Sequence, residues 1–88
     1  MAWKIEYAGR AQKTLGKLDS ETSARILAML EDVSVLDDPR LRGHALTGQF
    51  TGLWRYRVGE WRVIARIEHA RMVIVVIGVG NRREVYRA

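Results

Sequence analysis

The residues best equipped for chemistry are arginines and one tyrosine. Near the C-terminal end, Gly80-Asn81-Arg82-Arg83-Glu84-Val85-Tyr86-Arg87 sets a phenol among three guanidiniums. A free tyrosine titrates at about pH 10, and nearby positive charge favours its phenolate. Such a phenol can act as a general base, or it can simply anchor a last strand. A second group, Arg55, Arg57, Arg62 and Arg66, recurs at alternate positions among apolar residues. Guanidinium offers a planar fork of donors that matches phosphate and stays charged when partly buried. Together these residues point to recognition of a phosphate.

Other chemistries find less support. His44 and His69 are the only histidines, one in a glycine-bounded loop and one in a predicted turn. There is no cysteine and no H-x-x-H or H-E-x-x-H spacing, so no bound metal is expected. No G-x-x-x-x-G-K-[ST] loop is present to cradle nucleotide phosphates, and no cofactor is expected. Ser20, Ser23 and Ser34 fall in a helical stretch with no histidine at fixed spacing, which argues against a serine triad. Trp3, Trp54 and Trp61 could stack on bases, but their strand alternation fits core packing better.

These groups need a scaffold. Trp3 to Tyr7 alternates apolar and polar, as a half-buried strand does. Residues 8–18 change period, with Ala8, Ala11, Leu15 and Leu18 on one helical face. Asp19 or Ser20 can cap a second helix, with Glu21 in its first turn. Its apolar stripe is read as Ala24, Leu27, Leu30 or Met29, and Val33, ending at Asp37-Asp38-Pro39. The short gap between the helices implies an antiparallel hairpin. Residues 40–52, with three glycines, read as a loop. Strands are expected over 53–58, 60–68 and 72–79, the last almost continuously apolar and therefore central. The expected class is α+β: an N-terminal strand, a helical hairpin, then an antiparallel meander with the helices on one sheet face.

If Val58-Gly59 forms a two-residue turn, Arg55 faces Arg62, Arg57 faces Glu60, and Tyr56 faces Trp61. Trp54, Tyr56, Trp61 and Val63 then make the apolar face. Arg55, Arg57, Arg62 and Arg66 make the other. Two opposed arginines repel. Either an anion holds them together or both splay into water.

The chain of 88 residues, 48% hydrophobic, supports a single domain over 1–88. The absence of cysteine, of a signal-like N-terminus and of a membrane-length apolar run leads us to expect a cytoplasmic protein. Its charge of +5 is uneven. Residues 1–40 carry six bases and seven acids, giving −1; residues 41–88 carry nine arginines and three acids, giving +6. A basic half suits a polyanion or an acidic protein partner.

Over essentially its whole length the chain resembles the RelE/ParE toxin superfamily. The resemblance rests on the strand–helix–helix opening, the loop from Leu41-Arg42-Gly43 through Leu46-Thr47-Gly48, and the run Leu53-Trp54-Arg55-Tyr56-Arg57-Val58-Gly59-Glu60-Trp61-Arg62-Val63-Ile64. Its most specific part is Val79-Gly80-Asn81-Arg82-Arg83-Glu84-Val85-Tyr86. The arginine-plus-tyrosine ending resembles the RelE branch, which implies a toxin of a type II toxin–antitoxin system that cleaves mRNA in the ribosomal A site. On that resemblance Tyr86 matches the general base, Arg82 the general acid and Arg62 the arginine that stabilises the phosphorane. Arg55 matches a strand lysine that contacts the substrate backbone. Arg57, Arg66 and Arg83 add phosphate-binding charge. Leu53 stands where a second strand lysine is usual, Asn81 where many relatives have histidine, and either Arg82 or Arg83 fits the acid. The implied partners are an acidic RelB-like antitoxin, the ribosome and mRNA, with operator DNA met only through the antitoxin complex. Two other readings are a ParE-like gyrase poison without RNA chemistry and an inactive, antitoxin-binding co-repressor.

Overall fold

The computed structural model describes residues 2–85. β1 (Lys4–Tyr7) leads into α1 (Gly9–Lys17) and α2 (Ser20–Ser34), followed by a 3₁₀ turn (Pro39–Arg42), β2 (His44–Ala45) and a second 3₁₀ turn (Gly48–Phe50). The chain closes with β3 (Trp54–Val58), β4 (Trp61–Glu68) and β5 (Val73–Asn81). The five strands form one sheet in the order β1-β5-β4-β3-β2. β1 runs parallel to β5, and the other pairs are antiparallel.

Local chemistry fixes the helices. Asp19 caps α2, its carboxylate accepting from Thr22 N at 3.0 Å and from Thr22 Oγ1 at 2.7 Å. Those bonds hold the Asp19 carboxyl below the usual range. The core stripe of α2 is Ile26, Met29, Leu30 and Val33, at the i, i+3, i+4, i+7 spacing of one helix face. This corrects the stripe read from the sequence. Ala24 and Leu27 are exposed, because Ile26 begins the buried face. α2 ends at Ser34, three residues before Asp37. Trp3 N donates to Ser34 O at 2.7 Å there, stapling the helix end to the approach to β1.

The core lies between the helices and one sheet face, where Tyr56, Val58, Val63, Ala65, Ile74, Val76 and Val79 meet Ala11 and the α2 stripe. The loop expected over 40–52 is partly ordered into β2 and the two 3₁₀ turns. Tyr56 ties it down. Its ring is 1% exposed and its hydroxyl donates to Pro39 O at 2.8 Å.

Burial, then the nearby Asp38 charge, push the Tyr56 phenol up to about 12. In the unfolded chain it would ionise at about 10. Its contribution is therefore complete below pH 10 and is lost as pH rises from 10 through 12. Tyr56→Phe is expected to cost about 1–2 kcal/mol at neutral pH, because Pro39 O is left buried without its donor. It is also expected to flatten the fall in stability above pH 10. Urea titrations of both proteins at pH 7 and pH 11 check this, and parallel losses in the two proteins would contradict it.

Among the described residues, no helix is long and apolar enough to cross a membrane.

Candidate RNA-binding face

The sheet face turned away from the helices carries the arginines. Alternation along β3 puts Tyr56 and Val58 in the core and Arg55 and Arg57 on the opposite side. On β4, Val63 and Ala65 face the core, while Arg62, Ile64 and Arg66 face away. This matches the face assignment made from the sequence. The pairing does not match. The turn is Gly59-Glu60, so Arg57 faces Arg62, Arg55 faces Ile64, Tyr56 faces Val63 and Val58 faces Trp61. Gly59 takes φ +58°, a left-handed conformation that favours glycine at the first position of such a turn. The β-branched Val58 stays in the strand. The shift is two residues, an even number, so faces are preserved and only neighbours change.

Two rows cross this face. One is Arg57–Arg62–Gly80 and the other His44–Arg55–Ile64–Gly78. Gly78 raises no side chain and leaves the surface beside Ile64 open, whereas Gly80, beside Arg62, lies under Val85. Next to it is a cleft of about 650 Å³, whose walls include Lys17 of α1, Phe50, Leu53, Ile64 and Val85. Leu53 thus contributes an apolar wall rather than a charge.

The opposed pair Arg57/Arg62 is relieved by geometry. Arg62 Nη1 donates to Gly59 O at 2.9 Å and Trp61 O at 3.0 Å, drawing its charge toward the turn. Arg57 is exposed. Arg55 is half-buried, and its Nε is buried with no hydrogen-bond partner among the described residues. Arg66 lies roughly 13 Å along β4 from Arg62. It is tied to Glu68 at 3.0 Å in a chain of ion pairs running through Arg71 to Glu6. The structure therefore makes Arg57 and Arg62 direct neighbours with Arg55 on the next row, and ties Arg66, beyond that row, into ion pairs.

After β5 the chain turns back. Glu84 N and Val85 N donate to Asn81 O at 2.9 and 3.0 Å, and Val85 comes to lie over Gly80. Asn81 Oδ1 accepts from Arg83 N at 3.2 Å, so Asn81 organises this turn. Arg82 is pinned to the β3–β4 turn. Its N donates to Glu60 O at 2.8 Å and its Nε is 3.1 Å from Glu60 Oε2. Arg83 is exposed. Tyr86 lies outside the described residues. Sequence reasoning missed Glu60, and no local pattern marks it, since its importance comes from a contact with a residue 22 positions later.

Among the described residues, no group of three or more His, Asp or Glu could hold a metal ion. The arrangement offers fixed guanidiniums on an open face, which suits a polyanion.

Residues 5–86 match the protein family described as the ParE toxin of type II toxin–antitoxin system, parDE. Among solved structures, the toxin–antitoxin complex RelBE2 from Mycobacterium tuberculosis is similar, with a TM-score of 0.84 at 22% identity over 96% of this chain and 95% of that one. The isolated RelE toxin of E. coli gives 0.75 at 25% identity, covering 99% and 88%. The archaeal RelE–RelB complex from Pyrococcus horikoshii gives 0.73 at 24%, covering 100% of each. No curated protein sequence matches the chain.

Proposed function

Because the chain belongs to the ParE toxin family of type II toxin–antitoxin systems, within the RelE/ParE superfamily, we propose that it is a RelE-type endoribonuclease that cuts mRNA on the ribosome. The observation that carries this reading is the open face on which Arg55, Arg57 and Arg62 lie together, with Arg82 pinned at its edge.

The substrate 2′-hydroxyl attacks the adjacent phosphorus and the bond to the 5′ oxygen breaks. A 2′,3′-cyclic phosphate and a 5′-hydroxyl remain. Tyr86 takes the proton from the 2′-hydroxyl, and Arg82 supplies one to the departing oxygen. Arg62 meets the charge that grows on the phosphorane, as preorganised cations do in many phosphoryl and acyl transfers. Arg55 and Arg57 hold the backbone phosphates, and Arg83 adds charge at the exposed turn. Arg66, held by Glu68 at the far end of β4, contributes through longer-range attraction. An acidic RelB-like antitoxin silences the toxin by covering this face, drawn by opposite charge. The protein works in the cytoplasm, where its ribosomes are.

The matching family description favours a second reading, a ParE-like gyrase poison. One experiment separates the two. The toxin is induced without antitoxin and transcript 5′ ends are mapped, with Tyr86→Phe alongside. Discrete cuts inside translated codons, lost in the variant, are the expected result. Growth arrest with uncut transcripts and inhibition of purified gyrase would establish the second reading instead. Harmless expression with antitoxin binding intact would leave an inactive co-repressor.

A further inference from the structure

Glu60 sits at the second position of the β3–β4 turn and grips Arg82 at two points. Its carbonyl oxygen accepts from Arg82 N at 2.8 Å, and its carboxylate lies 3.1 Å from Arg82 Nε. The same turn holds Arg62, through Gly59 O and Trp61 O. One turn of chain therefore seats both guanidiniums. We propose that Glu60 is a positioning residue that holds Arg82 beside Arg62, ready for the scissile phosphate. This inference rests on the ribonuclease reading above.

Three features support it. The contact is made at Nε, and a guanidinium also has an Nη1/Nη2 edge that can fork onto a phosphate. Arginine has many rotamers, and a carboxylate at this distance biases them before the substrate arrives. Arg83, one residue on, has only its backbone N held, by Asn81, and its side chain is exposed. The clamp thus separates two adjacent arginines that the sequence alone leaves equivalent.

Both partners are exposed, Arg82 by 53% and Glu60 by 65%, so the ion pair is screened by solvent and salt. The effect on rate is accordingly modest. Glu60→Gln keeps the size, the turn and the backbone bond and removes only the charge. It is expected to lower the single-turnover cleavage rate about three- to five-fold. The ribosome concentration for half-saturation and the melting temperature should stay unchanged. Glu60→Asp, which restores the charge on a shorter arm, should recover part of the loss. The ratio of wild-type to Glu60→Gln rates should shrink toward one as salt rises.

The test uses the full chain, freed of antitoxin, on mRNA-programmed ribosomes. An active wild type with an unchanged or faster Glu60→Gln variant overturns the positioning role and leaves the ribonuclease reading standing. So does a rate ratio indifferent to salt. A wild type that leaves mRNA intact overturns the ribonuclease reading, and this role with it.

Discussion

Arg62→Ala is expected to slow cleavage by roughly 30- to 1,000-fold, equivalent to about 2–4 kcal/mol of barrier, the range for losing one donor aimed at developing charge. Arg62 is the one strand arginine whose guanidinium is fixed by backbone carbonyls, at 2.9 and 3.0 Å from Gly59 O and Trp61 O. A fixed charge needs no reorganisation at the moment of reaction. Its removal should therefore appear in the turnover rate and leave half-saturation almost unmoved. The fold should tolerate the change, since one of those bonds is exposed and the other only partly buried, at the edge of the turn. Arg57→Ala, which removes the neighbour directly across the strands, should weaken RNA binding more than turnover because that side chain is exposed. Single-turnover cleavage over a range of ribosome concentrations separates the two effects. A loss below about three-fold for Arg62→Ala would show that the transition-state charge is carried elsewhere.

Gly80→Val is expected to abolish cleavage at little cost to the rest of the fold. A Cβ at residue 80 would meet Val85 Cα at 3.0 Å, Val85 Cβ at 3.2 Å and Val85 N at 3.3 Å. Two of those atoms are backbone, so no side-chain rotation gives relief, and valine adds two more methyl groups. Overpacking of this kind costs about 1–3 kcal/mol where the surroundings cannot move. Here they can. Releasing the bonds of Glu84 N and Val85 N to Asn81 O lets the turn lift off the sheet. That release carries Arg83 off the face, and the Tyr86 position follows in sequence, while Arg82 stays clamped to Glu60. The melting temperature should fall by less than about 4 °C while activity disappears. Gly80→Ala should fall between the two proteins. Full cleavage by the valine variant would mean that this turn has no part in the site.

The sequence carried more information about faces than about neighbours. Alternation put Arg55, Arg57, Arg62 and Arg66 on one side of the sheet and Tyr56 and Val63 on the other, because a strand's side chains can only alternate. Which arginine faced Arg62 depended on the turn, and a glycine suits either central position of a two-residue turn. The pairing read from Val58-Gly59 was therefore two residues out. The cap of α2 was legible as Asp19 or Ser20, and the structure assigns it to Asp19, whose partner, Thr22, is three residues away. The parallel pairing of β1 with β5 and the clamp of Glu60 on Arg82 were not. Each joins residues far apart in the chain, and neither leaves a local period to read. β2 is only two residues long, too short to show any alternation. The start of the second helix is legible, but it ends at Ser34, short of Asp37, and its stripe runs through Ile26 in place of Leu27, one step around the helix. Both residues are apolar, and only burial distinguishes them.

The parallel pair of β1 with β5 also governs when this molecule can come into being. β1 is made first, yet the strand it must hydrogen-bond to, Val73–Asn81, is made last. Until then the helices have only part of a sheet to pack on, and the arginine rows lack their glycine-bearing flank. Such long-range closure is slow and must wait for nearly the whole chain. A nascent chain still attached to its own ribosome would thus carry every arginine of the face without the face itself. Assembly of the site is deferred until β5 has been made, which leaves an interval in which a toxin can be intercepted before its face has formed.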